Sequence, residues 1–415
     1  MAFRIPHPFP AHLALALLFA ASGLTWGTWI ARIPGIADHL ELTRAELGAI
    51  LPAFSVGALI SFPIAAATIS RFGTRNAVRI FGVMRGATFP LLALAPTAPV
   101  LLVSLVISGF MHGALDVSLN AQGVEIERRT FGSILSRAHG SFSLGALVGS
   151  LGAGLAAQFG APLASQFMLP AMIVVTMFAL LGHRLIDDEA PGAISPAPAS
   201  KRKWRGVGVP PRALWALGAI AFVTSITDEA VADWSALFIQ QDLEATPLVA
   251  SLAYALYSLA LVIGRFSGDS VSRRFAPMSL LQAGGAMGGI GLLIGTTFNT
   301  SIAMLIGLAI VGLGFSVIYP IIYRMAGNTP GIARGKAMAT MATIAYLGYL
   351  AGPLLIGPLS GATSLRAALM VVGISCFAIP LIGWLRQSWP TKTEVPAAIP
   401  SFEPETAPEP NAYSL

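Results

Sequence analysis

The sequence predicts an all-α membrane protein in which twelve transmembrane helices form two six-helix bundles related by a pseudo-twofold axis. Three observations predict this fold class. Apolar residues make up 55% of the 415 residues and charged residues 11%, whereas soluble domains carry about 25% charged residues. Apolar stretches that meet the requirement of about 20 residues for crossing a bilayer recur along the chain. The chain also repeats itself at an offset of 203 residues, which indicates two halves built alike.

Matched small residues carry the repeat. Ser55 matches Ser258 and Gly109 matches Gly312 at the offset of 203 residues. The other matched glycine pairs are Gly82 and Gly285, Gly86 and Gly289, Gly145 and Gly348, Gly149 and Gly352, and Gly154 and Gly357. Because glycine lets helix backbones approach closely, we expect these positions to be helix contacts in both halves.

Twelve apolar stretches define the expected spans. They cover residues 12–32, 47–69, 76–96, 99–123, 136–157, 163–183, 213–238, 248–268, 277–297, 301–325, 335–357 and 366–386. The first stretch could also be a cleaved secretory signal, since Phe19 to Ser22 resembles a cleavage site. We expect a span instead, because the apolar sequence continues to Ile30 and cleavage would leave eleven spans.

The basic residues set the orientation. Of the 25 lysines and arginines, 21 fall in segments on the side of the N-terminus, three (Arg32, Arg44 and Arg366) fall on the other side, and Arg85 lies within the third span. The positive-inside rule therefore predicts that both termini are cytoplasmic. The excess of basic over acidic residues is therefore explained by the topology, and we expect no nucleic-acid partner.

We predict four regions along the chain. Residues 1–186 form the first six-helix bundle and residues 212–386 the second. Residues 187–211, which mix acidic, Pro/Ala/Ser-rich and basic runs, are expected to be a flexible cytoplasmic linker. Residues 387–415, rich in proline and glutamate, are expected to be a disordered cytoplasmic tail.

Polar residues inside the fourth span are the first candidates for chemistry. His112, Asp116 and Asn120 follow each other at spacings of four, so all three lie on one helix face. A charge within a span is costly and usually has a functional reason, and a protonatable carboxylate is what proton coupling needs. We therefore predict that Asp116 carries a proton and that His112 and Asn120 contact the solute. The alternative is a structural ion pair between Asp116 and Arg85 of the third span.

The seventh span carries three acids, Asp228, Glu229 and Asp233. Three acids within six residues of a span cannot all face lipid, and we predict Glu229 as the second proton-coupling residue. Asp233, which could lie close to the outer interface, and Trp234 are predicted substrate contacts.

Aromatic residues complete the predicted site. Trp26 and Trp29 of the first span suit a polyhydroxylated ring, although tryptophan near the end of a span is also an ordinary interface anchor. Three tyrosines are further predicted contacts: Tyr319, Tyr323 and Tyr346. At the 203-residue offset Tyr319 matches Asp116 and Tyr323 matches Asn120, so the halves place different polar groups at equivalent positions.

The segment after the second span resembles a motif of the major facilitator superfamily, in outline Gly-x-x-x-Asp-Arg-x-Gly-Arg. This chain matches it at Arg71, Gly73 and Arg75, and has Ser70 in place of the acid. The second copy keeps Asp269 and Arg274. The resemblance implies that this loop helps hold the halves together when the outside is open, and we assign these residues and Arg85 structural or gating roles. Positive-inside anchoring is the alternative for the arginines.

Four longer segments narrow the resemblance to the fucose-permease-related branch of that superfamily. They are residues 113–120, 139–145, 232–236 and 264–269. The branch consists of bacterial inner-membrane proteins and includes some linked to rhizopine, an amino-inositol. The resemblance covers about residues 12–386 and implies the fold of the superfamily, a location in the bacterial inner membrane and transport of a small molecule.

We predict proton-coupled uptake of a sugar, polyol or related small polar solute, by a protein whose partners are that solute, protons and the lipid bilayer. Proton-driven export of an amphipathic compound is the alternative, and a transporter-derived sensor is a third. An enzyme is disfavoured, because no nucleophile–base set, metal-ligand spacing or phosphate-binding glycine loop is present in the sequence. We expect no cofactor, no metal and a monomer.

Overall fold

The computed structural model describes residues 10–130, 134–187, 214–330, 332 and 334–385. Within these ranges, the first half contains six α-helices: α1 (Ala11–His39), α2 (Arg44–Ile50), α3 (Pro52–Thr88), α4 (Ala98–Thr130), α5 (Leu135–Gln158) and α6 (Leu163–Leu181). The second half contains eight: α7 (Trp215–Leu237), α8 (Pro247–Arg274), α9 (Pro277–Thr297), α10 (Ser301–Phe315), α11 (Ile318–Gly327), α12 (Arg334–Ala362), α13 (Leu365–Ser375) and α14 (Ala378–Leu385). Within these described ranges there is no strand.

The number of spans agrees with the prediction. Eleven stretches of the described chain are long and apolar enough to cross a membrane. The stretch Arg44–Leu92 has 49 residues, which at about 1.5 Å per helical residue is more than twice the hydrocarbon thickness of about 30 Å. It contains the second and third predicted spans. They meet at Gly73, whose φ of 80° and ψ of 163° form a backbone conformation that glycine adopts readily. The all-α, twelve-span fold class is therefore confirmed.

The matched glycines make matched contacts in the two halves. A Cβ atom on Gly109 would lie 1.9 Å from the backbone oxygen of Phe54, and one on Gly312 would lie 2.5 Å from that of Tyr257. Phe54 and Tyr257 are themselves 203 residues apart. The repeat in sequence is therefore a repeat of helix–helix contacts, as the glycine pattern predicts.

Among the described residues, the larger buried apolar core joins the two halves on one side. A continuous buried core fills the second half and reaches into the first half around Ile30, Ile33 and Leu47, at the end of α1 and in α2. A smaller core, which includes Leu15 and Phe19 near the start of α1, stays within the first half. We call the side on which α1 ends the predicted outer side. The shared core therefore lies toward the predicted outer side.

The predicted domain boundaries remain predictions. The linker beyond Asp187 and the whole tail from residue 387 lie outside the described residues.

The α1–α5 contact allows a test of the glycine packing. A Cβ atom on Gly145 would lie 1.9 Å from the backbone oxygen of Ala20, whereas one on Gly152 of the same helix would meet no atom within 4 Å. We expect Gly145→Ala to lower the free energy of unfolding by about 1–3 kcal/mol, because backbone has to move. Gly152→Ala is the matched control, since both changes gain the same helix propensity. Unfolding in mixed micelles measures both; equal stability of the two variants would contradict close packing at Gly145.

Candidate functional site

Three rings from three helices form an aromatic cluster in the first half. Trp26 of α1 stacks on His112 of α4, with 5.2 Å between ring centroids and 25° between ring planes. Phe54 of α3 lies 5.3 Å from Trp26 and 5.4 Å from His112. Trp26 and His112 are half-buried, and both belong to membrane-spanning helices.

A tyrosine cluster surrounds an acid in the second half. The hydroxyl group of Tyr257 in α8 donates a hydrogen bond to Oδ1 of Asp228 in α7. The hydroxyl group of Tyr319 in α11 lies 2.7 Å from Oγ of Ser225 and 3.1 Å from the hydroxyl oxygen of Tyr349. The ring of Tyr346 packs edge-on against that of Tyr349 at 5.9 Å. Phenolic hydroxyl groups from three helices therefore converge near one carboxylate.

Direct contacts join the two clusters across the halves. Nε1 of Trp26 donates a hydrogen bond to the hydroxyl oxygen of Tyr254 at 2.8 Å. The ring of Tyr254 lies 5.9 Å from that of Tyr257, which binds Asp228. Phe62 of the first half also packs edge-on against Tyr346 at 5.2 Å. A chain of side chains thus runs from Trp26 to Asp228, and the candidate site lies between the halves.

Asp116 belongs to a separate polar group within the first half. Nδ2 of Asn120 donates to Oδ1 of Asp116 at 3.1 Å, so these two residues lie on one helix face, as the spacing of four residues predicts. Oδ1 of Asn120 lies 3.0 Å from Nε2 of His139 in α5. Asp116 is therefore connected to His139 through one amide side chain.

The alternative of an Arg85–Asp116 ion pair is wrong for this conformation. Arg85 is 1% exposed and donates from Nη1 to Ser108, at 3.0 Å to the backbone oxygen and 3.1 Å to Oγ. The ion pairs of the described residues do not include one between Arg85 and Asp116. Among the described side chains, Asp116 is thus half-buried without a cation bound to it.

Two predicted substrate contacts are packed inside the protein. Trp29 is 3% exposed and Trp234 is 0% exposed, and both belong to the larger apolar core. Asp233 is 4% exposed, so it does not lie at an open interface. Glu229, one helical turn before Asp233, is half-buried. The prediction of Trp29 and Trp234 as lining residues is therefore not met in this conformation, because their faces of α1 and α7 point into the core.

The remaining predicted residues lie at the edges of the candidate site or outside it. Tyr323 is half-buried and packs against the larger core. Arg75 forms an ion pair with Asp187, the first residue of the predicted linker, at 2.8 Å, and the guanidinium of Arg71 lies 5.2 Å from the ring centre of Phe72. These described contacts of the two arginines do not reach the second half.

Of the second copy of the loop motif, only Arg274 has a described side chain. Arg274 is the last residue of α8 and is exposed. The side chain of Asp269 lies outside the described part of the structure.

Sequence reasoning missed several residues of the site. Tyr254 and Tyr257 were not predicted, and Asp228 was passed over in favour of Glu229. The repeat offered a signal for Tyr257. At the 203-residue offset it matches Phe54, so the second half has a hydroxyl group where the first half has an apolar ring. Arg265, exposed on α8, was also missed; it lies within electrostatic range of Asp228 and His139.

Contacts between the halves close the predicted outer side. Arg44 of α2 forms an ion pair with Asp242, which follows α7, at 2.5 Å. Nε2 of Gln241 donates to Asp38 at 2.8 Å. A Cβ atom on Gly48 would lie 2.5 Å from the Cα atom of Gly357 in α12, so α2 and α12 touch through their backbones.

The boundary between α5 of the first half and α8 of the second, which we call the α5–α8 seam, is also closed on the predicted outer side. Oγ of Ser150 donates to the backbone oxygen of Ser251 at 2.6 Å. The hydrogen bonds described here between the halves all lie at the level of Trp26 or on the predicted outer side. The candidate site is therefore closed toward the predicted outer side.

Comparison with protein families gives a clear match. The family described as Major Facilitator Superfamily matches residues 15–326 and 233–410. A protein of Sinorhizobium fredii named as an uncharacterized transporter is 29% identical over 363 residues, which covers 86% of this chain and 93% of that protein. The membrane protein MosC of Rhizobium meliloti is 28% identical over 359 residues, covering 86% of each chain.

Solved structures share the fold. The nucleoside transporter NupG superposes with a TM-score of 0.70 at 12% identity, covering 92% of this chain and 100% of that one. A D-xylose-proton symporter superposes with a TM-score of 0.69 at 16% identity, covering 90% of this chain and 97% of that one. At these identities the likeness concerns the fold alone.

The Arg44–Asp242 ion pair predicts how the closed side opens. We expect Arg44→Glu to destabilise closure by about 1 kcal/mol, the upper value for a partly exposed pair, because it replaces attraction by repulsion. The open fraction then rises about fivefold. Ser251→Cys places a thiol at a position that is 1% exposed, and its reaction with a membrane-impermeant maleimide measures opening.

The charge swap Arg44→Glu with Asp242→Arg is the matched control and should restore the slow labelling. The native Cys376 is buried and serves as the background. Labelling that is as slow in Arg44→Glu as in the parent would contradict a role of the ion pair in closure.

Proposed function

The chain belongs to the major facilitator superfamily and is a membrane transporter of that type, and we propose that it couples uptake of a sugar, polyol or related small polar solute to the movement of protons. The observation that carries the proposal is the hydrogen bond from Trp26 to Tyr254. It joins the two halves beside a carboxylate that accepts a hydrogen bond from a tyrosine.

The chemistry of the site supports a hydroxylated solute with an apolar ring face. A sugar or polyol ring can lie against the indole of Trp26 while its hydroxyl groups bind Asp228 and the hydroxyl groups of Tyr319 and Tyr349. Ligand sites commonly combine apolar walls with a few polar groups that fix orientation. A D-xylose-proton symporter and a nucleoside transporter share this fold, which shows that it can hold solutes of this kind.

The position of the site supports alternating access. A solute held between Trp26 and Asp228 contacts α1 of one half and α7 of the other, so its binding energy acts on the relative position of the halves. In the parallel-repeat plan, substrate binds near the midplane and the halves rock around it. Uptake then begins when the outer contacts, such as Arg44–Asp242, open.

Proton coupling is assigned to Asp116 and, secondarily, to Glu229. Asp116 is half-buried, is bound by Asn120 and has no cation within ion-pair distance among the described side chains. An acid that carries a proton must change its surroundings between the two states, which a half-buried carboxyl group can do when the halves rock. Asp228, bound by Tyr257, is assigned to the solute instead.

The cellular setting follows from the same proposal. The protein acts as a monomer in the bacterial inner membrane with both termini in the cytoplasm. Proton-driven export of an amphipathic compound remains the second candidate, because an apolar groove opens between α5 and α8. The hydrogen-bonding groups around Asp228 favour the polar solute.

The coupling assignment predicts a separation of two activities. In proteoliposomes with an internal pH-sensitive dye, we expect sugars or polyols to drive proton entry with the parent protein. Asp116→Asn should reduce this proton movement at least about tenfold, because the amide cannot ionise, while counterflow of labelled solute persists. Glu41→Gln, which also removes a carboxylate but at an exposed position of the first half, is the matched control and should behave like the parent.

The same screen separates the alternatives. Proton movement that is unchanged in both Asp116→Asn and Glu229→Gln would rule out these two acids as carriers. If no sugar, polyol or nucleoside moves protons while a hydrophobic cation does, the export function replaces uptake.

A further inference from the structure

An apolar groove lies on the seam between the two halves. Its volume is about 270 Å³, and it runs between α5 and α8. Apart from Arg137, its lining is mainly apolar or small and lies between Gly140 and Leu147 on α5 and between Leu259 and Phe266 on α8. The groove therefore offers an apolar channel along the boundary that moves during transport.

The rim of the groove is exposed at the depth of the membrane. Its side chains Leu144, Leu259 and Phe266 are 59%, 41% and 68% exposed. All three lie in stretches that are apolar and long enough to span the membrane. At this depth, acyl chains are the apolar material present at high concentration.

The two helices touch on one side of the groove and separate along it. Toward the predicted outer side, Gly154 lies against Ser251, since a Cβ atom there would be 2.1 Å from the Ser251 hydroxyl oxygen. At the other end, a Cβ atom on Gly140 would lie 3.8 Å from Cζ of Phe266, an ordinary contact distance with no clash. The seam is thus tight at the predicted outer side and accessible toward the predicted cytoplasmic side.

A single cation marks the predicted cytoplasmic end of the lining. Arg137 is exposed, begins the membrane-spanning stretch of α5 and forms no ion pair with a described acid. A guanidinium at the level of the headgroups, directly at the end of an apolar channel, matches the charge and shape of an anionic phospholipid.

We propose that an anionic phospholipid of the cytoplasmic leaflet binds in this groove, with one acyl chain between α5 and α8 and its phosphate group at Arg137. The bound chain occupies space that α5 and α8 need in order to close the cytoplasmic side. The lipid therefore stabilises the conformation described here, in which the predicted outer side is closed.

The experiment uses the full-length protein in nanodiscs that contain a trace of photoreactive phosphatidylglycerol or phosphatidylcholine, with the diazirine in the acyl chain. After irradiation, mass spectrometry locates the adducts. We expect phosphatidylglycerol adducts on residues 140–147 and 259–266, which line the groove. Arg137→Gln should reduce these adducts about fivefold, to the level of phosphatidylcholine, as expected for the loss of one basic residue.

Two further variants keep the result interpretable. Arg79→Gln removes an exposed arginine of α3 outside the groove and should leave the adducts unchanged. Gly140→Leu fills the groove and should abolish the adducts of both lipids there while labelling elsewhere on the surface persists. Melting temperatures confirm that each variant is folded. Groove adducts that are equal for the two lipids and insensitive to Arg137→Gln, or that persist in Gly140→Leu, would overturn the proposal.

Discussion

Polar side chains within the hydrocarbon region must find their partners inside the protein, and this constraint organises the whole molecule. Tyr257 donates to Asp228, Trp26 donates to Tyr254, and Arg85 donates to Ser108. Lipid offers no hydrogen bond, so these groups gather where helices of the two halves meet or within one bundle. Such buried hydrogen-bonding groups, gathered between the halves, are what a polar solute would need in order to bind at this depth of the membrane.

The scaffold keeps the symmetry of the repeat, and the site breaks it. Gly109 against Phe54 and Gly312 against Tyr257 are equivalent contacts in the two halves. The two residues that these glycines contact differ, however. Phe54 packs its phenyl ring on Trp26, whereas Tyr257 donates a hydrogen bond from its phenol to Asp228. Equivalent backbone positions thus give an aromatic face on one side and hydrogen-bonding groups on the other.

Sequence patterns predicted the scaffold well, because spans and glycine contacts depend on local composition and on a fixed offset. The shared helix face of Asp116 and Asn120 also followed from a spacing of four residues, and the two side chains form a hydrogen bond there. The pattern could not choose between Asp228 and Glu229, since adjacent residues point about 100° apart and only helix rotation decides which faces the tyrosines. Helix rotation likewise buries Trp29 and Trp234, and the partner of Arg85 depends on packing between helices.

The central claim is that the transported solute binds between Trp26 and Asp228. A structure of the protein in nanodiscs with a transported solute at saturating concentration tests this most directly. The account predicts solute density against the indole ring of Trp26, with an oxygen or nitrogen atom within hydrogen-bond distance of the Asp228 carboxylate. Solute density that contacts neither residue, within one half or outside the candidate site, would contradict it.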